Sequence, residues 1–183
     1  MSTRRLKKGL VQVYTGNGKG KTTAALGQGL RAVGQGLRVC MIQFLKPAKI
    51  YSGEVGAISR LSPDFSLLRF DLVHPLFARE KGEAEKNLRE KLPVILQQVE
   101  EIIRSGEYDV VILDEINNLL GRGYISLDWI LNFIGERPPQ VELILTGRGA
   151  PKEVITAADL VTEMIEIKHP FKKGIKMRKG IEY

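Results

Sequence analysis

The stretch Thr15-Gly16-Asn17-Gly18-Lys19-Gly20-Lys21-Thr22-Thr23 decides the fold of this 183-residue chain. It follows the apolar run 10–14 and leads into Ala24-Ala25-Leu26-Gly27, so we predict a glycine-rich loop between a strand and a helix. In that setting the backbone N–H groups of the loop and the positive end of the helix face a phosphate chain. The sequence therefore predicts a nucleoside triphosphate site.

Two loop residues have side chains suited to a bound nucleotide. Lys21 supplies a mobile positive charge, and the Thr22 hydroxyl can ligate a phosphate-bound Mg²⁺. The loop departs from the usual G-x-x-x-x-G-K-[ST] pattern, because Thr15 occupies the first position and Gly16 follows one place later. We interpret this departure as a loop shaped for something other than routine ATP hydrolysis. The alternative to a phosphate loop is an ordinary glycine-rich turn.

Length and composition are typical of one globular domain, which we assign to residues 1–183. The chain is 43% hydrophobic and 27% charged, which argues against wholesale disorder. No apolar run approaches the roughly 20 residues needed to cross a bilayer, and the basic start lacks the apolar part of a secretion signal. We therefore expect a cytoplasmic protein without a membrane partner. The single cysteine, Cys40, lies in an apolar strand pattern and is expected in the core.

The net charge is +7, and much of the excess lies near the two ends of the chain. Basic ends can contact nucleic acid, surround a polyanionic small ligand, or simply form solvated surface. The interleaved aromatic residues and arginine clusters that support a nucleic-acid role are lacking. Nucleic acid is therefore the least supported partner. The basic residues concerned are Arg4, Arg5, Lys7, Lys8, Lys168, Lys172, Lys173, Lys176, Arg178 and Lys179.

Strand-like and helix-like segments alternate along the chain. The alternation predicts a three-layer α/β fold, with a mainly parallel sheet and helices on both faces, as in RecA-like P-loop NTPases. Within the long helix, Pro93 should cause a bend or a division. The predicted strands are residues 10–14, 37–44, 66–70, 109–114, 141–146 and 160–167. The predicted helices are residues 22–33, 53–61, 78–104, 127–133 and 151–158.

Polar residues follow two further predicted strands, Asp114-Glu115 in one case and Thr146-Gly147-Arg148 in the other. Ligands of parallel sheets bind beyond the carboxyl ends of the strands, so we expect both groups to meet the phosphate loop. One acid can hold Mg²⁺ while the other orients a reactant, and the spacing leaves open which does which. Alternatively, one acid caps a helix starting near Ile116. Arg148 is either a fork for phosphate oxygens or a surface arginine.

The histidine and phenylalanine residues give weaker indications of a metal or ligand site than the motifs above. His74 has no neighbouring cysteine or histidine, so we expect a loop histidine and not a metal ligand. The segment His169-Pro170-Phe171 has the pattern of a packed turn. Three phenylalanines are expected in the core, although they could instead line the pocket of a large flat ligand; they are Phe65, Phe70 and Phe77.

Together these motifs resemble those of the ATP:cob(I)alamin (corrinoid) adenosyltransferases of the phosphate-loop type. The resemblance covers nearly the whole chain outside residues 63–104, and the irregular Thr15 belongs to that family's pattern. It is especially distinctive at the end, in Lys168-His169-Pro170-Phe171-Lys172-Lys173-Gly174-Ile175-Lys176 and Lys179-Gly180-Ile181-Glu182-Tyr183. The other matching segments are residues 14–25, 30–34, 39–44, 52–54, 112–117, 145–149 and 158–163.

The resemblance implies a definite reaction. Enzymes of this family transfer the 5′-deoxyadenosyl group of ATP to Co(I) of a corrinoid and release tripolyphosphate, in adenosylcobalamin biosynthesis or salvage. ATP and a corrinoid would be the substrates, with Mg²⁺ or Mn²⁺ as the ion. An unidentified electron donor would reduce Co(II) to Co(I). The resemblance also implies a homodimer, and a triphosphate lying in the loop in the sense opposite to that of ordinary ATPases.

The family's functional residues map onto this chain by motif. Lys21, Thr22 and Glu115 would be the catalytic set, with Thr22 and Glu115 binding the divalent ion. Phe70, His74 and Phe77 would lie near the corrinoid. The nucleotide would be held by Gly16, Asn17, Gly18, Lys19, Gly20, Lys21, Thr22, Thr23 and Arg148.

The chain departs from the family in two places. Residues 69–77 lack the tryptophan of the family's Phe-x-Trp element, which is associated with the corrinoid's lower face. Only nine residues precede the first predicted strand, whereas some relatives carry a longer N-terminal helix that covers the site. The rival functions are a P-loop ATPase or kinase that uses Glu115 to orient its acceptor, and a nucleic-acid-dependent ATPase.

Overall fold

A six-stranded sheet runs through the centre of the molecule, and its pairings in the described part of the chain are all parallel. The computed structural model describes residues 6–46, 52–72 and 80–182. The order across the sheet is β3-β2-β4-β5-β1-β6. The strands are β1 (Val11–Thr15), β2 (Val39–Gln43), β3 (Phe65–Arg69), β4 (Val110–Asp114), β5 (Glu142–Thr146) and β6 (Leu160–Glu163).

Helices cover both faces of the sheet. Alternate residues of β2 show the division, because Val39 and Met41 belong to the cluster that includes Ala25 of the first helix, whereas Cys40 and Ile42 belong to the cluster on the other face. The predicted three-layer α/β architecture, with a parallel sheet and helices on both faces, is confirmed. The helices are α1 (Lys21–Gly34), α2 (Gly53–Ser59), α3 (Lys81–Arg104), α4 (Ile116–Gly121), α5 (Leu127–Glu136) and α6 (Lys152–Ala157), with a 3-10 turn at Pro170–Lys173. Within the described ranges, no helix is long and apolar enough to cross a membrane.

Several predicted boundaries need correction. Strand β6 ends at Glu163, four residues earlier than expected, because β1, the strand that it pairs with in the described sheet, ends at Thr15, the residue paired with Glu163. Helix α4 starts at Ile116, where a helix was expected only as the alternative role of the acid pair. Glu115 stands at its N-cap position, but the Glu115 side chain makes no capping hydrogen bond. Of the two outcomes predicted at Pro93, a division is wrong, since α3 is one continuous helix, and a bend stays a prediction. Pro93 lies on the exposed side of α3, while the neighbouring Leu92 is buried and holds the helix on the sheet.

Other expectations concern single residues. Cys40 and Phe65 are core residues, with 0% and 2% of their surface exposed. The packed turn expected at residues 169–171 is wrong for Phe171, whose side chain is 74% exposed. There His169 acts instead as a cap, its Nδ1 accepting a hydrogen bond from the Phe171 N–H at 3.2 Å. His74 and Phe77 lie outside the described residues.

Candidate active site

The phosphate loop connects the end of β1 to the first turn of α1. Gly16 and Gly20 have φ values of 91° and 121°, a backbone region that side chains disfavour. Gly16 and Gly18 are also crowded, because a Cβ would lie 2.4 Å and 2.8 Å, respectively, from the carbonyl oxygen of Met164. Thr15 is buried, and its hydroxyl accepts a hydrogen bond from the Ala150 N–H at 3.1 Å. The irregular first position of the motif therefore ties the loop to the segment after β5.

The two lysines of the loop have different surroundings. Lys21 is buried, and its ammonium group donates to the carbonyl oxygens of Gly16 and Gly18, both at 2.7 Å. Burial lowers the pKa of Lys21, and the charge of Arg148 lowers it further, so an anion entering the loop would be favoured electrostatically. Lys19 instead contacts the end of the chain, where its ammonium group donates to Glu182 at 3.0 Å.

Asp114 at the end of β4 binds several neighbouring side chains while fully buried. Its Oδ1 accepts hydrogen bonds from the hydroxyls of Thr22 at 2.8 Å and Thr146 at 2.7 Å. Its Oδ2 accepts from the Gln43 amide at 3.1 Å and from the Lys46 ammonium at 2.9 Å. Since each oxygen already has two donors, Asp114 is suited to holding Thr22 in place beside the loop.

Glu115 adopts a left-handed backbone conformation with φ of 70° immediately after β4. Its N–H donates to the Thr146 hydroxyl at 3.0 Å, and its carboxylate accepts a hydrogen bond from the Asn118 amide. Burial raises the pKa of Glu115, and the neighbouring charge of Asp114 raises it further. A half-buried acid on a left-handed backbone, next to a fully buried acid, is a combination found at functional sites.

The oxygen donors beside the loop fit a hard divalent ion such as Mg²⁺ or Mn²⁺. Thr22 offers a hydroxyl and Glu115 a carboxylate, while the repulsion between the Glu115 and Asp114 carboxylates would be relieved by a cation. Among the described residues, no group of three or more His, Cys, Asp or Glu side chains could hold a metal ion. Phosphate oxygens and water would therefore complete the coordination, as is usual for Mg²⁺ at nucleotide sites.

A second polar network extends from Asp114 across the sheet to α2. The Arg69 guanidinium donates to the Gln43 side-chain oxygen at 2.7 Å and to Glu54 at 3.2 Å, and it also bonds the Ser52 hydroxyl. The Gln43 amide donates to Glu54 at 3.3 Å as well as to Asp114. The functional assignment made from sequence missed these residues. The available signal was that Gln43 and Arg69 are polar residues at the carboxyl ends of otherwise apolar strands.

Arg148 lies at the rim of the site. Its side chain is exposed, and its N–H donates to the Asn118 side-chain oxygen at 2.7 Å. A cleft of about 480 Å³ is lined by Asn17, Arg148 and residues 163–166. The structure thus brings Arg148 to the phosphate loop. Asn118 is hydrogen-bonded both to the Arg148 backbone N–H and to the Glu115 carboxylate.

Of the three corrinoid candidates, only Phe70 can be placed. It follows β3 directly, at the same edge of the sheet as the phosphate loop. Its ring is half-buried, with its centroid 6.3 Å from that of the buried Phe44. Contact between Phe70 and a corrinoid stays a prediction.

The fold is shared with a solved structure. The crystal structure of the flagellar accessory protein FlaH from Methanocaldococcus jannaschii superposes with a TM-score of 0.59, covering 86% of this chain and 72% of that protein. At 18% sequence identity, this likeness concerns the fold alone.

Sequence comparison gives the family. The family described as "ATP:corrinoid adenosyltransferase BtuR/CobO/CobP" matches residues 7–183. The chain is 36% identical to a corrinoid adenosyltransferase of Pseudomonas aeruginosa, over 98% of this chain and 86% of that protein. It is 34% identical to the corrinoid adenosyltransferase of Escherichia coli K12, over 97% of this chain and 87% of that protein. Because the match extends over nearly all of both chains and includes the phosphate loop and the Asp114-Glu115 pair, this protein belongs to the ATP:corrinoid adenosyltransferase family.

Proposed function

We propose that this corrinoid adenosyltransferase transfers the 5′-deoxyadenosyl group of ATP to Co(I) of a corrinoid and releases tripolyphosphate, in the biosynthesis or salvage of adenosylcobalamin. The observation that carries the proposal is the buried Lys21 ammonium inside a glycine loop, with Thr22 held beside it by Asp114. This arrangement suits a site that grips and neutralises a polyphosphate. Family membership supports ATP and a corrinoid as the two substrates.

In the proposed reaction the electron pair of Co(I) attacks C5′ of ATP. A cobalt–carbon bond forms, the C5′–oxygen bond breaks, and its electron pair leaves with the triphosphate. Reduced cobalt is already a strong nucleophile, so the protein's tasks are to align the reactants and to stabilise the departing charge. Lys21, Arg148 and the positive end of α1 would supply that stabilisation.

Glu115, and not Asp114, is the acid that we propose for the divalent ion. Both Asp114 oxygens are already occupied by donors, whereas the neighbouring Glu115 carboxylate accepts only the Asn118 hydrogen bond among the contacts described. Thr22 and Glu115 would hold Mg²⁺ or Mn²⁺, which when bound would neutralise phosphate charge. Gly16, Asn17, Gly18, Gly20 and Thr23 would complete the contacts to the triphosphate, with its direction reversed relative to ordinary ATPases.

The proposal includes a homodimer in the cytoplasm, where ATP is available, and a separate electron donor that reduces Co(II) to Co(I). Exposed apolar side chains on β6 and just after it support a dimer, because such surfaces are usually covered. They are Leu160, Val161, Ile165 and Ile167, which are 39–86% exposed.

We propose no nucleic-acid partner, since two of the basic C-terminal residues form ion pairs with acids. Lys172 pairs with Glu166 at 2.6 Å and Arg178 pairs with Glu182 at 3.0 Å.

One observation favours a second candidate, an ATPase or kinase. The raised pKa of Glu115 would suit an acid that orients water or another acceptor beside the loop. The reaction products separate the two functions. Adenosyl transfer gives a light-sensitive cobalt–carbon product, whereas hydrolysis or phosphoryl transfer gives ADP.

The proposal is tested by an anaerobic assay with ATP, Mg²⁺ and chemically reduced cobalamin, followed by the absorbance of the light-sensitive product. Lys21→Ala should lower kcat by about 100- to 1,000-fold, because the departing triphosphate loses its nearest cation. The matched control is Lys152→Ala on the exposed surface of α6, which should retain wild-type turnover. Equal turnover in the two variants would overturn the assignment of Lys21.

A further inference from the structure

The C-terminal part of the chain leaves the phosphate loop and then returns to it. We call residues 164–182 the return segment. At its start, the Met164 N–H donates to the Thr15 carbonyl oxygen at 2.9 Å, and the Met164 carbonyl oxygen accepts from the Gly18 N–H at 2.6 Å. At its end, the Lys19 ammonium donates to the Ile181 carbonyl oxygen at 3.1 Å and to Glu182 Oε1 at 3.0 Å. The loop is thus attached to both ends of this segment.

Hydrogen bonds within residues 178–182 fix the conformation of the end of the return segment that contacts Lys19. The Arg178 N–H donates to Glu182 Oε2 at 2.8 Å, and the Arg178 guanidinium contacts both carboxylate oxygens at 3.0 and 3.3 Å. The N–H groups of Ile181 and Glu182 both donate to the Arg178 carbonyl oxygen. The hydrogen bonds that the Glu182 carboxylate accepts from Arg178, and then the one from Lys19, lower the pKa of Glu182 to about 2, so the carboxylate stays charged at working pH. Glu182 therefore presents a charged carboxylate, held in place by Arg178, to Lys19 of the loop.

Lys19 stands between Gly18 and Gly20, and Gly20 has a φ of 121°, a conformation that glycine adopts far more readily than other residues. Its ammonium group is engaged with the return segment, whereas Lys21 occupies the loop interior. Restraining a flexible binding loop in its bound shape raises affinity because less ordering remains to be done on binding. A contact that holds Lys19 would therefore restrain the loop without touching the bound phosphates.

We propose that Lys19 and Glu182 are positioning residues of the nucleotide site, whose ion pair fastens the return segment to the phosphate loop and so holds the loop in the shape that accepts a triphosphate. This inference rests on the proposed ATP site, but it assigns Lys19 a different role, since its charge acts on the C-terminal segment and not on phosphate. Partly exposed ion pairs are individually modest, so we expect an effect of about three- to fivefold on affinity.

The test is a double-mutant cycle on MgATP binding, measured by calorimetry on the full-length protein without corrinoid. Lys19→Met and Glu182→Gln should each raise the Kd by about three- to fivefold, and the double variant should be no weaker than either single variant. Lys19→Arg should retain wild-type affinity, because it keeps the charge pair. In turnover assays the single variants should raise the KM for ATP and leave kcat at saturating ATP unchanged.

The same cycle can overturn the proposal. If Lys19→Met weakens binding equally in the wild-type and Glu182→Gln backgrounds, Lys19 acts directly on phosphate and the proposal is wrong. Unchanged affinity in both single variants would also refute it. A wild-type protein that binds MgATP but forms no adenosyl product would contradict the proposed function, while the cycle would still decide the role of Lys19.

Trypsin sensitivity gives a readout that needs no nucleotide. The return segment contains exposed basic cleavage sites at Lys172, Lys173 and Lys176. Glu182→Gln should be cut there faster than the wild type, because the returning end is released from the loop. The control Glu153→Gln, on the exposed surface of α6, should be cut at the wild-type rate. Equal cleavage of Glu182→Gln and the wild type would show that the ion pair does not fasten the segment.

Discussion

Asp114 accepts hydrogen bonds from four side chains, which come from strands β2 and β5, the segment after β2, and helix α1 that follows the phosphate loop. Asp114→Asn would place an amide N–H₂ group against groups that themselves donate. We therefore expect a loss of about 2–4 kcal/mol in the free energy of unfolding, measured by urea denaturation. The control is Glu136→Gln, which removes a charge from an exposed pair with Arg104 and should cost less than about 1 kcal/mol. Similar losses in the two variants would show that the buried contacts of Asp114 add nothing.

The sequence predicted a pair of acids at this edge of the sheet but not the difference between their surroundings. Adjacent carboxylates after an apolar strand predict a metal site near a phosphate loop, because the strand delivers both to one edge of the sheet. Their separate roles depend on which donors surround each oxygen. Those donors, Gln43, Lys46 and Thr146, come from distant parts of the chain and carry no spacing signal that links them to Asp114.

At the scale of elements, α1 shows how closely a helix packs against the sheet. A Cβ on Gly29 would lie 2.7 Å from the Phe65 ring, whereas a Cβ on Gly27 would meet nothing within 4 Å. We expect Gly29→Ala to destabilise the protein by about 1–3 kcal/mol through overpacking. Gly27→Ala should instead stabilise it by up to about 1 kcal/mol, since alanine favours the helix. Thermal unfolding of the two variants checks this, and a common sign would contradict the packing of α1 on β3.

Helix α3 offers a second comparison, because it continues through Pro93 on its exposed side. Replacing Pro93 with alanine restores a helical N–H and removes the clash of the ring with the preceding turn. Proline also restricts the unfolded chain, which offsets part of the gain. We expect Pro93→Ala to raise the free energy of unfolding by about 1–2 kcal/mol in urea denaturation. A loss of stability would mean that the ring itself makes a needed contact.

The boundaries of elements were less predictable than their existence. The apolar pattern after residue 160 continues to Ile167, and local propensity alone favours a strand over that whole length. The strand ends at Glu163 because it pairs with β1 and the partner ends at Thr15. The end of β6 is thus set by the end of β1, a strand some 150 residues earlier in the chain, and local periodicity carries no information about that pairing.

For the whole molecule, alternating strand and helix patterns predicted the parallel sheet, and the carboxyl-end rule placed the phosphate loop, the acid pair and Arg148 at one edge. The return of the C-terminal segment to Lys19 was not predicted. The contact joins residues 163 positions apart, and both side chains are of types that usually form solvated surface. Motifs therefore indicated which side chains gather at the phosphate loop, whereas the long-range contact between Lys19 and Glu182 required the structure.

The most direct test of adenosyl transfer is ³¹P NMR of the products formed from ATP and chemically reduced cobalamin in the absence of oxygen. We expect tripolyphosphate to appear in equal amount with the light-sensitive cobalt–carbon product, because the bond that breaks lies between C5′ and the whole triphosphate. ADP with inorganic phosphate, or AMP with pyrophosphate, formed in step with ATP consumption would contradict the proposed reaction.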